Sequence, residues 1–124
     1  MKGETMNSPE SGNVRLHELL TYAREGRFMD AMLEFYAENV TMEEPMSGPT
    51  HGLEENIKRE QRFLDAVKEV KTFQVTHSAT GPNTAMYENI MDWVGKDDKN
   101  YHMEQVSVQT WKNGKIIYER FYYS

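Results

Sequence analysis

The stretch Val106–Tyr123, VSVQTWKNGKIIYERFYY, contains two runs rich in β-branched and aromatic residues with Asn113-Gly114 between them. Asn-Gly in this setting is the strongest short-range signal of a β-hairpin. The chain is therefore predicted to end in two antiparallel strands joined by a tight turn.

The period of two typical of strands continues upstream of this hairpin. Residues 73–79 (FQVTHSA), 84–94 (TAMYENIMDWV) and 101–111 (YHMEQVSVQTW) are predicted strands, with turns at residues 81–83 and 95–100 between them. Together with the last strand they form a predicted four-stranded meander.

Before Lys71 the apolar residues follow the period of an α-helix instead. A helix is predicted from Val14 to Gly26, and a second one follows it directly. The longest helix is predicted over residues 52–70, with Glu54 and Glu55 in its first turn, where the helix dipole favours acidic groups.

Between the second and third helices, residues 40–45 (VTMEEP) predict a short strand that is closed by a proline. Residues 46–52 (MSGPTHG) are a connector rich in turn residues. The order of elements predicts one α+β domain over residues 14–124, and residues 1–13 are expected to form a flexible arm.

The composition excludes several classes of function. The 124 residues include no cysteine, which excludes disulfides, thiolate nucleophiles and cysteine metal sites. A formal net charge of −6 argues against a nucleic-acid partner, and no apolar run approaches the roughly 20 residues of a membrane span. The N-terminal residues lack the apolar segment of a signal peptide, so a cytoplasmic location is expected.

The element order resembles the nuclear-transport-factor-2-like fold, also described as SnoaL-like or ketosteroid-isomerase-like. The resemblance rests on the opening helices punctuated by Gly26, on ENVTMEEP at residues 38–45, and on the final hairpin. It implies a curved, mostly antiparallel sheet wrapped around the long helix, forming a cone whose open interior is the ligand site. Because this fold hosts both enzymes and adaptors, it does not by itself define an activity.

The resemblance assigns a candidate general base. Glu44, directly before Pro45, falls where the isomerases carry an acidic residue that abstracts a proton next to a carbonyl group. Neighbours on a strand point to opposite faces, so Glu44 is expected to point into the cone and Glu43 away from it. The alternative is an exposed glutamate at the end of a strand.

The oxyanion hole of the isomerases is not reproduced in this sequence. Their tyrosine position falls on Leu19, which cannot donate a hydrogen bond, and their aspartate position falls on Ser107, whose hydroxyl can. This departure argues against steroid isomerisation itself. Tyr22, one turn after Leu19, is a possible substitute.

The strand of Ser107 also supplies candidate ligand contacts. If Ser107 faces the cone, Met103, Gln105, Gln109 and Trp111 face it too, whereas Val106 and Val108 face outward. An apolar outer face would need a cover, and many members of the superfamily cover it by forming homodimers, so a homodimer through this face is expected.

The register of the final hairpin depends on its turn. A two-residue turn at Asn113-Gly114 places Ser107 opposite Arg120, whereas a three-residue loop with a bulge places Ser107 opposite Glu119. The family pattern favours the second register. Glu119 would then point inward, where it could pair with Glu44 in one pocket and raise the pKa of one of the two carboxyl groups, and two further ligand contacts, Phe121 and Tyr123, would point inward with it. The alternative is that Glu119 and Arg120 are charges on the rim of the cone.

Among the four histidines, His77 lies in the middle of a strand and could face the cone as an acid/base partner. The alternative is a partly buried, hydrogen-bonded core residue. His102 and Glu104 share a strand face, but no third ligand is indicated, so no metal or other cofactor is expected.

Two classes of function remain open. One is a binder or enzyme of the isomerase/cyclase type that takes a hydrophobic carbonyl compound and uses Glu44 as acid/base. The other is a non-catalytic homodimeric module whose cone is packed shut or binds a ligand without turnover. The two differ in the cone, since only an open cavity of roughly a few hundred Å³ supports a site.

Overall fold

The computed structural model describes residues 14–124, so the predicted arm at residues 1–13 lies outside the described part of the chain. Three helices and six strands follow one another: α1 (Leu16–Arg24), α2 (Phe28–Phe35), β1 (Tyr36–Glu44), β2 (Gly48–His51), α3 (Leu53–Asp65), β3 (Val67–Gly81), β4 (Thr84–Gly95), β5 (Asn100–Lys112) and β6 (Lys115–Tyr122). The α+β fold class and the meander of the last four strands are confirmed.

The six strands form one curved sheet in the order β2-β1-β6-β5-β4-β3. All neighbouring strands are antiparallel except β1 and β6, which run parallel. This parallel pair joins the β1–β2 pair to the meander of β3–β6. The helices pack on one face of the sheet, and the core lies beneath them. Its largest fully buried apolar side chains are Trp111, Phe35, Ile116 and Val40.

Several predicted boundaries were wrong. The strand predicted from Val40 begins at Tyr36. The long helix ends at Asp65 rather than near residue 70, because residues 67–70 pair with the end of β4, where β-branched Val67 and Val70 suit a strand. The turn-rich connector contains the short edge strand β2, in which Pro49 pairs opposite Glu43. A proline is tolerated there because an edge strand has one side without ladder partners.

The final hairpin combines features of both predicted registers and matches neither. Asn113 and Gly114 have φ angles of 53° and 77°, so they form the two-residue turn. An extra residue on β6 then shifts the register between Ile116 and Tyr118. This bulge makes Phe121 the partner of Ser107.

The bulge decides which charge of β6 faces the interior. Beyond it, Gln109 pairs with Glu119, whereas outward-facing Val108 pairs with Arg120. Glu119 is fully buried, and Arg120 is exposed.

The turn of this hairpin is a point where the fold depends on glycine. We expect Gly114→Ala to lower the free energy of unfolding by about 1 kcal/mol, because a Cβ is strained at this positive φ. Gly81→Ala is the control, since Gly81 has an ordinary φ and open space around it, and there alanine should be neutral or slightly stabilising. Urea unfolding of both variants measures the difference, and equal effects would contradict this account of the turn.

Candidate functional site

A cavity of about 530 Å³ lies between the inner face of the sheet and the three helices. Its wall is mostly apolar and aromatic, with side chains from every helix and from strands β1, β3, β4, β5 and β6, including Leu19, Phe28, Met32, Met42, Phe63, Phe73, Met91, Trp93, Met103 and Phe121. The cone is therefore open and of the size of a small-molecule site.

Glu44 contributes a carboxylate to this wall. It ends β1 in phase with Val40 and Met42, which face the interior, while Glu43 lies on the other face and accepts a hydrogen bond from Tyr118. The opposite directions of the two glutamates follow from the strand period, and Pro45 ends the strand directly after Glu44.

Glu44 is held by two side chains. Arg59 Nη1 of α3 lies 3.0 Å from one carboxylate oxygen, and the Tyr123 hydroxyl donates to the other at 2.6 Å. The side chains of Glu44 and Arg59 are only 17% and 19% exposed, so this ion pair is largely shielded from water. Burial, followed by the contact with Glu44, raises the pKa of Tyr123 to about 12.

Glu119 occupies a separate polar cluster beneath the cavity. Its carboxylate accepts hydrogen bonds from Tyr36 at 2.6 Å, Ser107 at 2.5 Å and Gln109 at 2.8 Å. Trp111 Nε1 donates to Gln109 at 2.9 Å and so extends the chain of bonds into the core. Burial raises the pKa of Glu119, and the three hydrogen bonds act in the opposite direction.

The predicted pairing of Glu44 with Glu119 was therefore wrong. Arg59 is the direct partner of Glu44, whereas Glu119 bonds to uncharged donors. A second acidic group that the sequence did not single out, Glu60, lines the cavity next to Arg59 on α3. Burial raises the pKa of Glu60, and the charges of Glu119 and Glu44 act in the same direction.

The other predicted site residues divide between the cavity wall and the floor behind it. Met103, Gln105, Phe121 and Tyr123 line the cavity. The predicted inward face also carries Ser107, Gln109 and Trp111, but these three side chains are buried below the cavity. Their hydrogen bonds are made within the Glu119 cluster.

The prediction that His77 could face the cone was wrong. Val75 pairs with Asn89 on the inner face, but a bulge follows, so that His77 pairs with the outward-facing Glu88. His77 is exposed, and its Nδ1 lies 2.8 Å from a Glu88 oxygen. Strict alternation from Val75 would have turned His77 inward, and the extra residue, Thr76, reverses its direction.

Two tyrosines of the cavity wall carry hydroxyl groups, the kind of hydrogen-bond donor that the sequence comparison did not find at Leu19. Tyr36 and Tyr87 both line the cavity, whereas Tyr22 packs against Phe35 with ring centroids 5.0 Å apart and is not in the wall. Burial is the main cause that raises the pKa of both Tyr36 and Tyr87. Each therefore presents a protonated hydroxyl, although that of Tyr36 is already donated to Glu119.

Asn89 is the other polar residue of the wall that sequence reasoning missed. It is fully buried, it lines the cavity, and neither Nδ2 nor Oδ1 has a hydrogen-bond partner among residues 14–124. The period of two along β4 places it on the inner face beside Tyr87 and Met91, a signal that the sequence did contain.

The described part of the chain contains no group of three or more acidic or histidine side chains arranged to hold a metal ion. His102 lies on the outer face of the sheet, 2.5 Å from Asp92 and 2.8 Å from Glu104, and these hydrogen bonds raise its pKa. None of the helices within residues 14–124 is long and apolar enough to cross a membrane.

Comparison with known proteins identifies the family. The model of the SnoaL-like domain matches residues 11–123, so the chain belongs to the SnoaL-like domain family. A comparison with proteins of curated function found no match.

Solved structures agree with this fold. An NTF2-like protein from Anabaena variabilis superposes with a TM-score of 0.80 at 14% identity, over 98% of this chain and 96% of that one. A Mesorhizobium loti protein provisionally named a SnoaL-like polyketide cyclase gives a TM-score of 0.74 at 23% identity, over 89% and 100% of the two chains. A ketosteroid isomerase-like protein from Catenulispora acidiphila, in complex with trimethylamine, gives 0.72 at 17% identity, over 86% and 85%.

The buried Glu119 cluster leads to a prediction about stability and pH. In Glu119→Gln, the amide oxygen can still accept from Ser107 and Gln109, and its NH2 can donate to the Tyr36 oxygen, so all three contacts keep a hydrogen bond and only that with Tyr36 is reversed in direction. The variant removes the cost of a buried charge. We therefore expect it to be more stable than the wild type near pH 7.

The sign of this effect depends on pH. Because the folded pKa of Glu119 is raised, a rise in pH ionises the unfolded state first, and the wild type loses stability between the two pKa values. The advantage of Glu119→Gln should be smallest near pH 4 and should grow toward pH 7, by about 1.4 kcal/mol for each unit of pKa difference. Urea unfolding at several pH values measures it, with exposed Glu54→Gln as the control. An advantage that shrinks as the pH rises would contradict the prediction.

Proposed function

We propose that the protein binds a hydrophobic carbonyl compound in the cone and acts on it without a cofactor, with Glu44 as the acid/base group. The observation that carries the proposal is an open cavity of about 530 Å³ whose apolar wall contains the Glu44 carboxylate. A cone filled by Trp111, Phe121 and methionines would have argued against it. Trp111 instead lies in the core, and Phe121 and the methionines surround the open space.

The proposed step is a proton transfer. Glu44 takes a proton from the carbon next to the ligand's carbonyl group, which leaves an enolate, and then returns the proton to that carbon or, in a ligand whose C=C bond is conjugated with the enolate, to the far carbon of the conjugated system. The ligand and the product contain the same atoms and the same number of electrons, so the reaction needs no oxidant or reductant. The Tyr87 hydroxyl, which lines the same cavity, is the proposed donor to the enolate oxygen.

One observation favours ligand binding without turnover as a second candidate. Both oxygens of Glu44 already accept hydrogen bonds, from Arg59 and from Tyr123. A ligand would then have to displace or share these bonds before Glu44 could accept a proton. Binding and proton transfer therefore need separate measurements.

A thermal-shift screen with aromatic ketones and polyketide-like compounds would identify a ligand. Exchange of the α-hydrogens of that ligand with deuterated water, followed by NMR, would then detect proton transfer. We expect wild type to accelerate exchange and Glu44→Gln to abolish the acceleration. Glu43→Gln, which alters the glutamate on the opposite face, is the matched control and should retain it.

The loss of the Arg59 ion pair should also lower the stability of Glu44→Gln, by roughly 1 kcal/mol. Exchange must therefore be measured below the unfolding range of the variant. Binding without accelerated exchange in the wild type would reject the acid/base role and favour the binding module.

We also propose a homodimer formed through the outer face of the sheet. On this face Val106 and Val108 lie beside Met86 and Tyr122, which are 42% and 47% exposed. An apolar patch across three neighbouring strands is a surface that a monomer would leave in water.

Light scattering after size exclusion tests this interface. We expect the wild type to be a dimer and Val108→Lys to be a monomer, because the substitution puts a charge in the middle of the patch. Asn39→Lys, at an exposed position on β1, is the control and should remain dimeric. A monomeric wild type at ordinary working concentration would end the proposal.

A further inference from the structure

Asn89 carries a buried amide whose oxygen and nitrogen have no hydrogen-bond partner in the described part of the chain. The residue is 0% exposed, and neither its Nδ2 nor its Oδ1 has a partner among residues 14–124. Buried side-chain amides are nearly always hydrogen-bonded, because an unpaired donor or acceptor in an apolar setting is costly. A residue with two unused groups in this position therefore calls for a partner from outside the described chain.

The cavity is the direction from which that partner can come. Asn89 lines it, and its strand neighbours on the inner face are Val75 on β3 and Gln105 on β5. Met91 and Met103, paired with each other one step further along the sheet, also line the cavity. Methionine side chains adapt readily to new neighbours, so the wall beside Asn89 can open to a ligand with little strain.

The chemistry of an amide defines its complement. Asn89 presents one acceptor and one donor side by side, so its best partner presents a donor and an acceptor side by side as well. A ketone would satisfy Nδ2 and leave Oδ1 unpaired. A carboxylate has no donor, and the acidic Glu44 and Glu60 in the same wall, with Arg59 as the cation beside them, disfavour an anion.

We propose that Asn89 is the polar anchor for a neutral cyclic amide, a lactam, whose N–H and C=O pair with Asn89 Oδ1 and Nδ2 while its apolar body lies against the aromatic wall. Either orientation of the Asn89 amide gives the same complement, since a lactam can turn over to match. The inference deepens the proposed function by naming the class of carbonyl compound, and it rests on the cavity of that proposal but not on proton transfer by Glu44.

The test compares three bicyclic probes of similar size. These are 2-quinolone, which has the lactam donor and acceptor; 1-methyl-2-quinolone, which lacks the donor; and naphthalene, which lacks both groups. Dissociation constants come from ligand-observed NMR with wild type, Asn89→Leu and Asn39→Leu. The last is the same substitution at an exposed strand position.

We expect wild type to bind 2-quinolone about tenfold or more tightly than 1-methyl-2-quinolone, because a site built around hydrogen bonds discriminates strongly against a ligand that leaves them unpaired. Asn89→Leu should lose this discrimination and bind naphthalene more tightly than wild type does. Asn39→Leu should keep the discrimination.

A second readout does not depend on any ligand. Asn89→Leu should raise the melting temperature of the free protein, since it removes an unpaired buried amide, and saturating 2-quinolone should stabilise the wild type more than the variant. Equal affinity of wild type for the two quinolones, or a lower melting temperature for free Asn89→Leu, would overturn the lactam subsite. Tight naphthalene binding beside equal quinolone affinities would overturn the subsite alone, whereas wild type that binds none of the three probes would overturn the cavity of the proposed function as well.

Discussion

The carboxylate of Glu119 is fully buried, and a charge or a carboxylic acid in that position must be hydrogen-bonded to persist. Its three donors come from two other strands: Tyr36 begins β1, and Ser107 and Gln109 lie on β5. Glu119 itself lies on β6, the strand between these two in the sheet. One polar cluster therefore ties together the parallel and the antiparallel neighbours of β6 and forms a fixed floor for the cavity.

The mouth of the cavity follows different physics from the floor. Glu44 and Arg59 join the end of β1 to α3, and both side chains retain some exposure. Their ion pair is largely shielded from water but lies in the cavity wall, so a ligand can compete for it, whereas the Glu119 cluster is fully buried. The polar groups in the floor have all their hydrogen bonds made within the protein, whereas Glu44 and Arg59 can exchange their bonds for bonds to a ligand. The apolar wall lies between these two sets of groups.

Much of the fold was accessible from the sequence because it depends on local signals. The Asn113-Gly114 turn, the period of two along the last four strands and the proline after Glu44 each act within a few residues. The directions of Glu44, Met103 and Gln105 followed from the strand period once the family resemblance had indicated which face is the inner one. The end of α3 could not be predicted in this way. The residues after Asp65 pair with β4, and this contact lies far away in the sequence.

The remaining differences have one common cause. A bulge changes the phase of a strand without leaving a clear mark in the residue pattern. The bulge on β6 turns Glu119 rather than Arg120 inward within a two-residue hairpin, and the bulge at Thr76 turns His77 outward. Neither result could be obtained by counting in twos.

The structure also reverses the value of the polar side chains on the inner face. Ser107 and Gln109 were candidates for contact with a ligand, but both donate hydrogen bonds to Glu119 and lie below the cavity. Asn89 was not predicted as a site residue, yet it lies in the cavity wall, and its amide nitrogen and oxygen have no hydrogen-bond partner within residues 14–124. A buried polar group whose bonds are all made stabilises the scaffold, while one whose bonds are unmade costs stability that a ligand can return. By that criterion the Glu119 cluster serves the scaffold, whereas the unpaired amide of Asn89 is the group on which the proposed lactam subsite rests.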